Sequence, residues 1–451
     1  MRIGTLVLSS LLLVNTTWAS SYEYLSGFGN HFSSEALEGA LPIGQNTPQK
    51  APKGLYAEQL SGTSFTTPRS QNKFIWFYRL RPSVSVNPYH KIENENIQTR
   101  FSKQNIDPNP LLWKPLPIPS ALENVDFVKG MTTIAGAGSP ETKNGLGIHV
   151  YVANQSMEYK AFYNADGDML IVPQEGKLEI QTECGFLTVV PGEICVIPRG
   201  IVFKVMIPDG PVRGYICEVF DGHYRLPDLG PIGANGLANP RDFLSPVAAF
   251  EDVNLDFDII TKYCGELYQK TIDHSPFDVV AFHGNYVPFK YDLANFCAMN
   301  SVCFDHADPS IFTVLTCQTL EPGVAAVDFV IFPPRWSCAE HTFRPPYYHR
   351  NCMSEYMGLI SGSYEAKEAY LKPGGGTLHN CMTPHGPDAS TYQNATSGEL
   401  KPSRVGEDAL AFMFESTYIL QLSDKAMDEK FLEKEYLHCW EGIKNNLKLE
   451  D

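Results

Sequence analysis

The sequence predicts a mainly β protein, a sandwich or jelly roll built from two similar β units, with a helix at the end of the chain. Short β-rich runs recur at about eight to twelve residues with turn residues between them, a spacing typical of sandwiches and jelly rolls. The runs also fall into two sets, so the middle and the end of the chain read as two copies of one β unit. With 451 residues and 43% of them hydrophobic, the chain has the apolar mass to build both.

Residues 1–20 form a signal-like extension: Arg2, an apolar run from Leu6 to Val14, then Thr17-Trp18-Ala19-Ser20. From Ser20 to about Asn144 the chain is rich in Pro, Gly and polar residues and reads as loops with short extended runs such as Phe74 to Tyr78. The first β unit lies between Tyr151 and Phe220, with runs at Met169–Val172, Lys177–Ile180 and Glu193–Ile197. The turn-rich stretch Gly230–Gly236 leads to a second set of runs from about Val279 to Leu422. Met427, Phe431, Trp440, Ile443 and Leu447 follow Ser423 and Asp424 at near-helical intervals and predict the closing helix. The expected division is 21–290 for the N-terminal region with a degenerate β unit and 291–451 for the C-terminal region.

A formal charge of −16 repels phosphate backbones and anionic lipid, so neither a nucleic acid nor a membrane is expected as a partner. The eleven cysteines are odd in number and include no CxxC pair, which fits neither a disulfide framework nor a thiolate zinc site. They point to a cytoplasmic protein, with the secretory pathway as the alternative if the signal-like extension is functional.

Each β unit carries paired glycine-proline turns. Asp166-Gly167-Asp168, Pro191-Gly192-Glu193 and Pro198-Arg199-Gly200 punctuate the first, and Pro373-Gly374-Gly375-Gly376 the second. They resemble the paired turns of cupin barrels, which often hold a metal in the mouth, and make the whole bicupin-like. The first unit lacks the histidines; Asp166 and Asp168 stand where ligands would, so a degenerate structural copy is expected there.

The chemistry concentrates in Tyr347-Tyr348-His349-Arg350-Asn351-Cys352-Met353-Ser354-Glu355. His349 and Glu355 are an even six residues apart, so an extended strand would project both from one face. His385, in the turn Thr383-Pro384-His385-Gly386-Pro387, supplies a plausible third donor, with His379 competing for that role. Two imidazoles and one carboxylate make the facial triad of non-haem Fe(II) oxygenases, which leaves positions open for substrate and dioxygen; zinc or manganese could use the same groups. The bland alternative is a set of hydrogen-bonded core histidines. His306, flanked by Asp305 and Asp308, is either a proton acceptor for a phenol or a turn histidine held by those carboxylates.

The runs Tyr24–Asn30, Leu55–Gly62, Gly230–Phe243, Phe304–Thr316 and Phe343–Glu355 resemble the homogentisate 1,2-dioxygenase family, a likeness extending from about Tyr22 to Trp440. The resemblance implies an Fe(II) enzyme, built as an N-terminal β-sandwich region and a C-terminal cupin-like jelly-roll barrel, that cleaves the ring of homogentisate with O2 to give maleylacetoacetate in tyrosine and phenylalanine catabolism, assembled as a homo-hexamer of two trimers. It implies His349, Glu355 and His385 as iron ligands and His306 as the acid/base. Tyr364, His379 and His385 would contact substrate. The signal-like extension is foreign to a cytoplasmic family. A related enzyme for another dihydroxylated aromatic acid, and a non-catalytic storage cupin, are the competing functions.

Overall fold

The computed structural model describes residues 22–448 apart from 95, 102–104, 229–236, 300–311, 338–346, 365 and 368. The signal-like extension, the Gly230–Gly236 turn and His306 lie outside the described residues. As expected, the chain is mainly β, and its described residues form sheets of nine, seven, four, six and two strands.

The nine-stranded sheet is the middle layer, and its strands show why. In Asn144–Ala153, Leu146, Ile148 and Val150 enter one core while Tyr151 and Ala153 enter another. In Val212–Val219, Tyr215, Cys217 and Val219 join the first core, and Val212 and Ile216 the second. A strand buried on both faces is apolar at successive positions rather than alternating, and these are for most of their length, with His149 and Glu218 as buried polar interruptions. The second core lies against the seven-stranded sheet and makes the N-terminal sandwich. The first lies against the six-stranded sheet of the C-terminal unit, where the Tyr215 hydroxyl donates to the Leu359 and Gly375 carbonyls at 3.1 and 2.8 Å. Gly358 permits that contact: a Cβ there would sit 2.4 Å from the Phe412 ring.

The two units exchange strands. Leu111–Trp113 pairs with Gly376–Leu378 in the C-terminal sheet, and Gln421–Leu422 pairs with Ala135–Gly136 in the nine-stranded sheet. The C-terminal sheet begins at Thr313, later than the run from Val279 suggests: Val279–Gly284 and Phe289–Asp292 pair with N-terminal strands. Among the described residues the C-terminal strands form an open six-stranded sheet rather than a closed barrel.

The expected C-terminal helix is not there. Only the short 3-10 turns Lys425–Met427 and Tyr436–Trp440 form, and the single α-helix among the described residues is Ala389–Ser397, capped by Asp388 accepting from Thr391 N. Backbone pairing with the strand Leu111–Trp113 wins instead: Lys114 N donates to Phe431 O, and Glu433 N donates to Leu112 O. The near-helical spacing corresponded to no buried stripe, since Met427, Ile443 and Leu447 are exposed.

Candidate metal centre

The strand carrying Glu355 is Ser354–Ser361, and it starts after His349. The even-spacing argument therefore does not describe how the two residues meet. Asn351 makes the intervening turn, with its Oδ1 accepting from Met353 N at 3.0 Å and its carbonyl from Met382 N at 2.7 Å. His349 instead pairs with His385 across an isolated bridge, with His349 N donating to His385 O at 2.9 Å and His385 N to His349 O at 3.1 Å. That bridge sets the two rings 4.2 Å apart and turns both towards Glu355.

His349, Glu355 and His385 each offer a donor atom within 4.8 Å of the others. His385 Nε2 lies 3.0 Å from Glu355 Oε2, and His349 Nε2 lies 3.6 Å from Oε1. Each imidazole gives its Nδ1 to a carbonyl two residues back, His349 to Tyr347 O at 2.7 Å and His385 to Thr383 O at 2.9 Å. A carbonyl only accepts, so Nδ1 holds a proton in each ring, and Nε2, which faces the Glu355 carboxylate, is the nitrogen that would give up its proton to a metal. Glu355 and His385 are buried, and His349 is partly exposed, which leaves one side of the cluster open.

Burial pushes the Glu355 carboxyl up, but hydrogen bonds with His349 and His385, joined by Asn351, hold it well below the ordinary range. His349 is raised, chiefly by its hydrogen bond to Glu355 against the opposing effect of burial. Asn351 Nδ2 donates both to Glu355 Oε1 at 2.9 Å and to Glu415 Oε1 at 2.7 Å, so one amide orients the carboxylate and spaces it from its acidic neighbour in sheet register.

His379 does not join the donor set. It stands opposite Glu355 in register, stacks flat on His385 at 4.1 Å, and shares a 2.9 Å hydrogen bond between Nε2 and the Tyr436 hydroxyl. Burial, then the nearby His385, holds it well below the ordinary imidazole value, so it is neutral. Its Nδ1 is buried with no hydrogen-bond partner. Tyr364 is buried with its ring edge-on to Phe332 at 5.9 Å.

Several supporting groups escaped sequence reading. Lys367 Nζ donates to Gly386 O at 3.1 Å beneath the Trp440 and Tyr436 rings, at 4.3 and 5.0 Å from their centroids. Burial pushes its ammonium down to about 8. Trp440 Nε1 donates to Pro387 O at 3.0 Å. These contacts fasten the segment that carries His385, and they come from residues too distant in sequence to leave a local signal.

The span Tyr151–Phe220 holds no histidine, as read, but an inward one stands just before it, His149 on the strand Asn144–Ala153. His149 Nε2 lies 3.1 Å from Glu218 Oε2; Lys262 Nζ lies 2.7 Å from Glu218 Oε1 and 2.6 Å from Asp166 Oδ2. Asp168 is engaged elsewhere, by Arg199 N at 3.0 Å and His223 Nδ1 at 2.8 Å. Neither Asp166 nor Asp168 stands ready as a ligand.

Residues 23–293 match the family described as homogentisate 1,2-dioxygenase N-terminal, and residues 294–447 match its C-terminal counterpart. Curated relatives named homogentisate 1,2-dioxygenase include one from Dictyostelium discoideum, 59% identical over 95% of this chain and 98% of its own. The Drosophila melanogaster protein is 55% identical over 95% of this chain and 99% of its own, and the human protein 54% identical over 94% and 96%. Among solved structures, a cupin 2 conserved barrel domain protein from Leptotrichia buccalis covers 73% of this chain and all of its own with a TM-score of 0.29 and 9% identity.

Proposed function

The chain belongs to the homogentisate 1,2-dioxygenase family, and on that premise we propose that it is an Fe(II)-dependent enzyme opening the homogentisate ring with O2 to maleylacetoacetate, in tyrosine and phenylalanine catabolism. The observation that carries the metal part is the convergence of His349, Glu355 and His385 within 4.8 Å. Two imidazoles presenting Nε2 and one ionised carboxylate are a donor set that suits a divalent first-row ion, and three protein donors leave coordination positions open. Bound there, iron would bring the phenol, the acetate arm and dioxygen together and pass electron density between ring and oxygen.

The chain's own groups would do the rest. The carbonyls of Tyr347 and Thr383 keep both ligand imidazoles in the metal-binding tautomer. Asn351 fixes the Glu355 carboxylate, so the donor geometry is set before substrate arrives. His306 would take the phenolic proton, and Tyr364 would hydrogen-bond the substrate and orient its ring. His379, neutral and stacked on His385, has a free Nδ1 edge with which to contact the substrate. We place the enzyme in the cytoplasm as a homo-hexamer of two trimers; nine described cysteines, all free, support a reducing compartment. No helix among the described residues is long and apolar enough to cross a membrane.

The test is oxygen uptake by the full chain reconstituted anaerobically with Fe(II), comparing homogentisate with gentisate. Stoichiometric uptake with homogentisate, abolished by chelation, is expected. Uptake with gentisate alone would reassign the substrate, and none with either would favour a storage protein. His306→Ala should retain iron while losing about 10²-fold in turnover, the scale of a lost general base; unchanged turnover would reduce His306 to a structural residue.

A further inference from the structure

We propose that the cavity behind the Gly27–Gly29 loop is a binding site for a small monovalent anion, a halide or a short carboxylate, held by the Lys73 ammonium and the Ser245 hydroxyl.

The cavity, of about 30 Å³, lies where residues flanking the four-stranded sheet meet the end of the nine-stranded one. Its two holding residues enter for local reasons. Ser245 stands two residues after Phe243 on the strand Phe243–Pro246, so strand alternation turns it to the same inward face, where it is 1% exposed. Lys73 precedes the strand Phe74–Arg79 and is pinned by Asn285, whose Oδ1 accepts from Phe74 N at 3.0 Å and whose Nδ2 donates to Asn72 O at 2.9 Å. A Cβ on Gly29 would stand 3.7 Å from Lys73 Nζ, so the ammonium lies against the loop that walls the cavity. Phe28 and Phe289, edge-on at 5.1 Å, supply an apolar wall.

Most polar groups around the cavity are spent. Asp168 accepts from Arg199 N at 3.0 Å and faces His223 Nδ1 at 2.8 Å, while His223 Nε2 faces Gly62 O at 2.8 Å. The Tyr224 and Tyr286 hydroxyls donate to the Cys217 and Arg199 carbonyls at 3.1 and 2.9 Å. Two groups are left over. The Ser245 hydroxyl is buried with no hydrogen-bond partner, and among the described residues the Lys73 ammonium has neither a hydrogen bond nor an ion pair. Burial pushes that ammonium below the ordinary lysine value, and Asp168 is the one carboxylate opposing the effect. Because Asp168 already faces the Arg199 guanidinium at 3.5 Å, one positive charge is left without its counterpart in a place where an unpaired charge is costly. A monoanion balances it and accepts from both free donors. Size then selects among monoanions: one water needs about 10–15 Å³, so the cavity takes a halide or formate and is too small for an aromatic acid.

The experiment follows thermal unfolding of the full chain, with its iron in place, as formate replaces gluconate at constant ionic strength. Gluconate carries the same carboxylate on a chain too long for the cavity. The native midpoint is expected to climb with the logarithm of formate concentration, as it does for a ligand that binds only the folded state. Lys73→Met should show no such climb. Ser245→Ala should need about 10-fold more formate for the same gain, the scale of one hydrogen bond to an ion, and it keeps the test decisive should Lys73→Met not fold. Bromide diffused into crystals locates the ion by anomalous scattering, with a peak expected between Lys73 Nζ and Ser245 Oγ. A native midpoint that responds alike to formate and gluconate would overturn the proposal, as would a climb that both variants reproduce in full. A bromide peak at this position without any formate-dependent gain would mark binding at crystal concentration only, and would overturn it too.

Discussion

Both β units gather an imidazole and carboxylates inside the protein, and they treat the resulting negative charge differently. In the first unit Lys262 reaches across from the facing sheet and bridges Glu218 and Asp166. In the second, the described residues put no ammonium between His349, Glu355 and His385: the nearby Lys367 is turned to the Gly386 carbonyl, behind the segment that carries His385. A cluster that carries its own cation is a structural brace, whereas the one that lacks it is, on the function proposed above, the receptor for a metal ion. On that proposal the same residue types serve packing in one place and chemistry in the other, and what separates them is a single side chain on the opposing sheet.

The sharpest way to break this contrast is to damage each cluster and read both metal and stability. Glu355→Ala should abolish iron binding and oxygen uptake together while leaving the fold intact; retained iron with full turnover would contradict the assignment of the donor set. Glu218→Ala should do the reverse, keeping an ion at the second unit but destabilising the protein by about 3–5 kcal/mol, the usual cost of removing one partner from a buried pair. Denaturant unfolding of the two variants side by side checks both.

The pH dependence sharpens the same point. Burial pushes Glu218 up, but Lys262 and His149 hold it below the ordinary carboxylate value, so its stabilising effect is present above that value and fades as pH falls through it. Burial pushes Lys262 down, but Glu218 and Asp166 hold it above the ordinary lysine value, so its effect is present below that value and fades as pH rises past it. The stability gap between the native chain and Glu218→Ala should therefore be flat between about pH 5 and pH 10 and narrow on both sides. A gap that kept growing towards acid pH would mean that the pair is not the source of the difference.

Smaller effects separate orientation from ligation within the second unit. Asn351→Ala removes the amide that steers Glu355 away from Glu415 and should weaken iron binding about 10- to 100-fold, the range for groups that orient ligands, with turnover largely recovered at saturating iron. Tyr436→Phe removes only the hydrogen bond to His379 and should cost about 1 kcal/mol in stability with iron retained.

Much of this was legible in the residues. The two β units follow from the recurring apolar runs and their turns, and the three donor residues stand out by type and by crowding into one proline-rich stretch. Their meeting was not legible. It depends on a backbone bridge between His349 and His385, thirty-six residues apart, and not on strand register between His349 and Glu355. Asn351 lay in plain view two residues from His349, but its role depends on Glu415, which arrives from another strand. The first-unit cluster left a fainter trace: Glu218, a charged residue between the buried Cys217 and Val219, is the kind of interruption that demands a buried partner. The helix misled because Met427, Phe431 and Trp440 mimic its period while the backbone at Phe431 and Glu433 bonds to a neighbouring strand and that around Met427 and Trp440 closes short 3-10 turns.

The most direct test of the central contrast is an anaerobic Fe(II) titration of the native chain and of Glu355→Ala, with bound iron counted per chain. One ion for the native chain and none for Glu355→Ala is the result this account predicts. Two ions for the native chain, or one that survives the loss of Glu355, would contradict it.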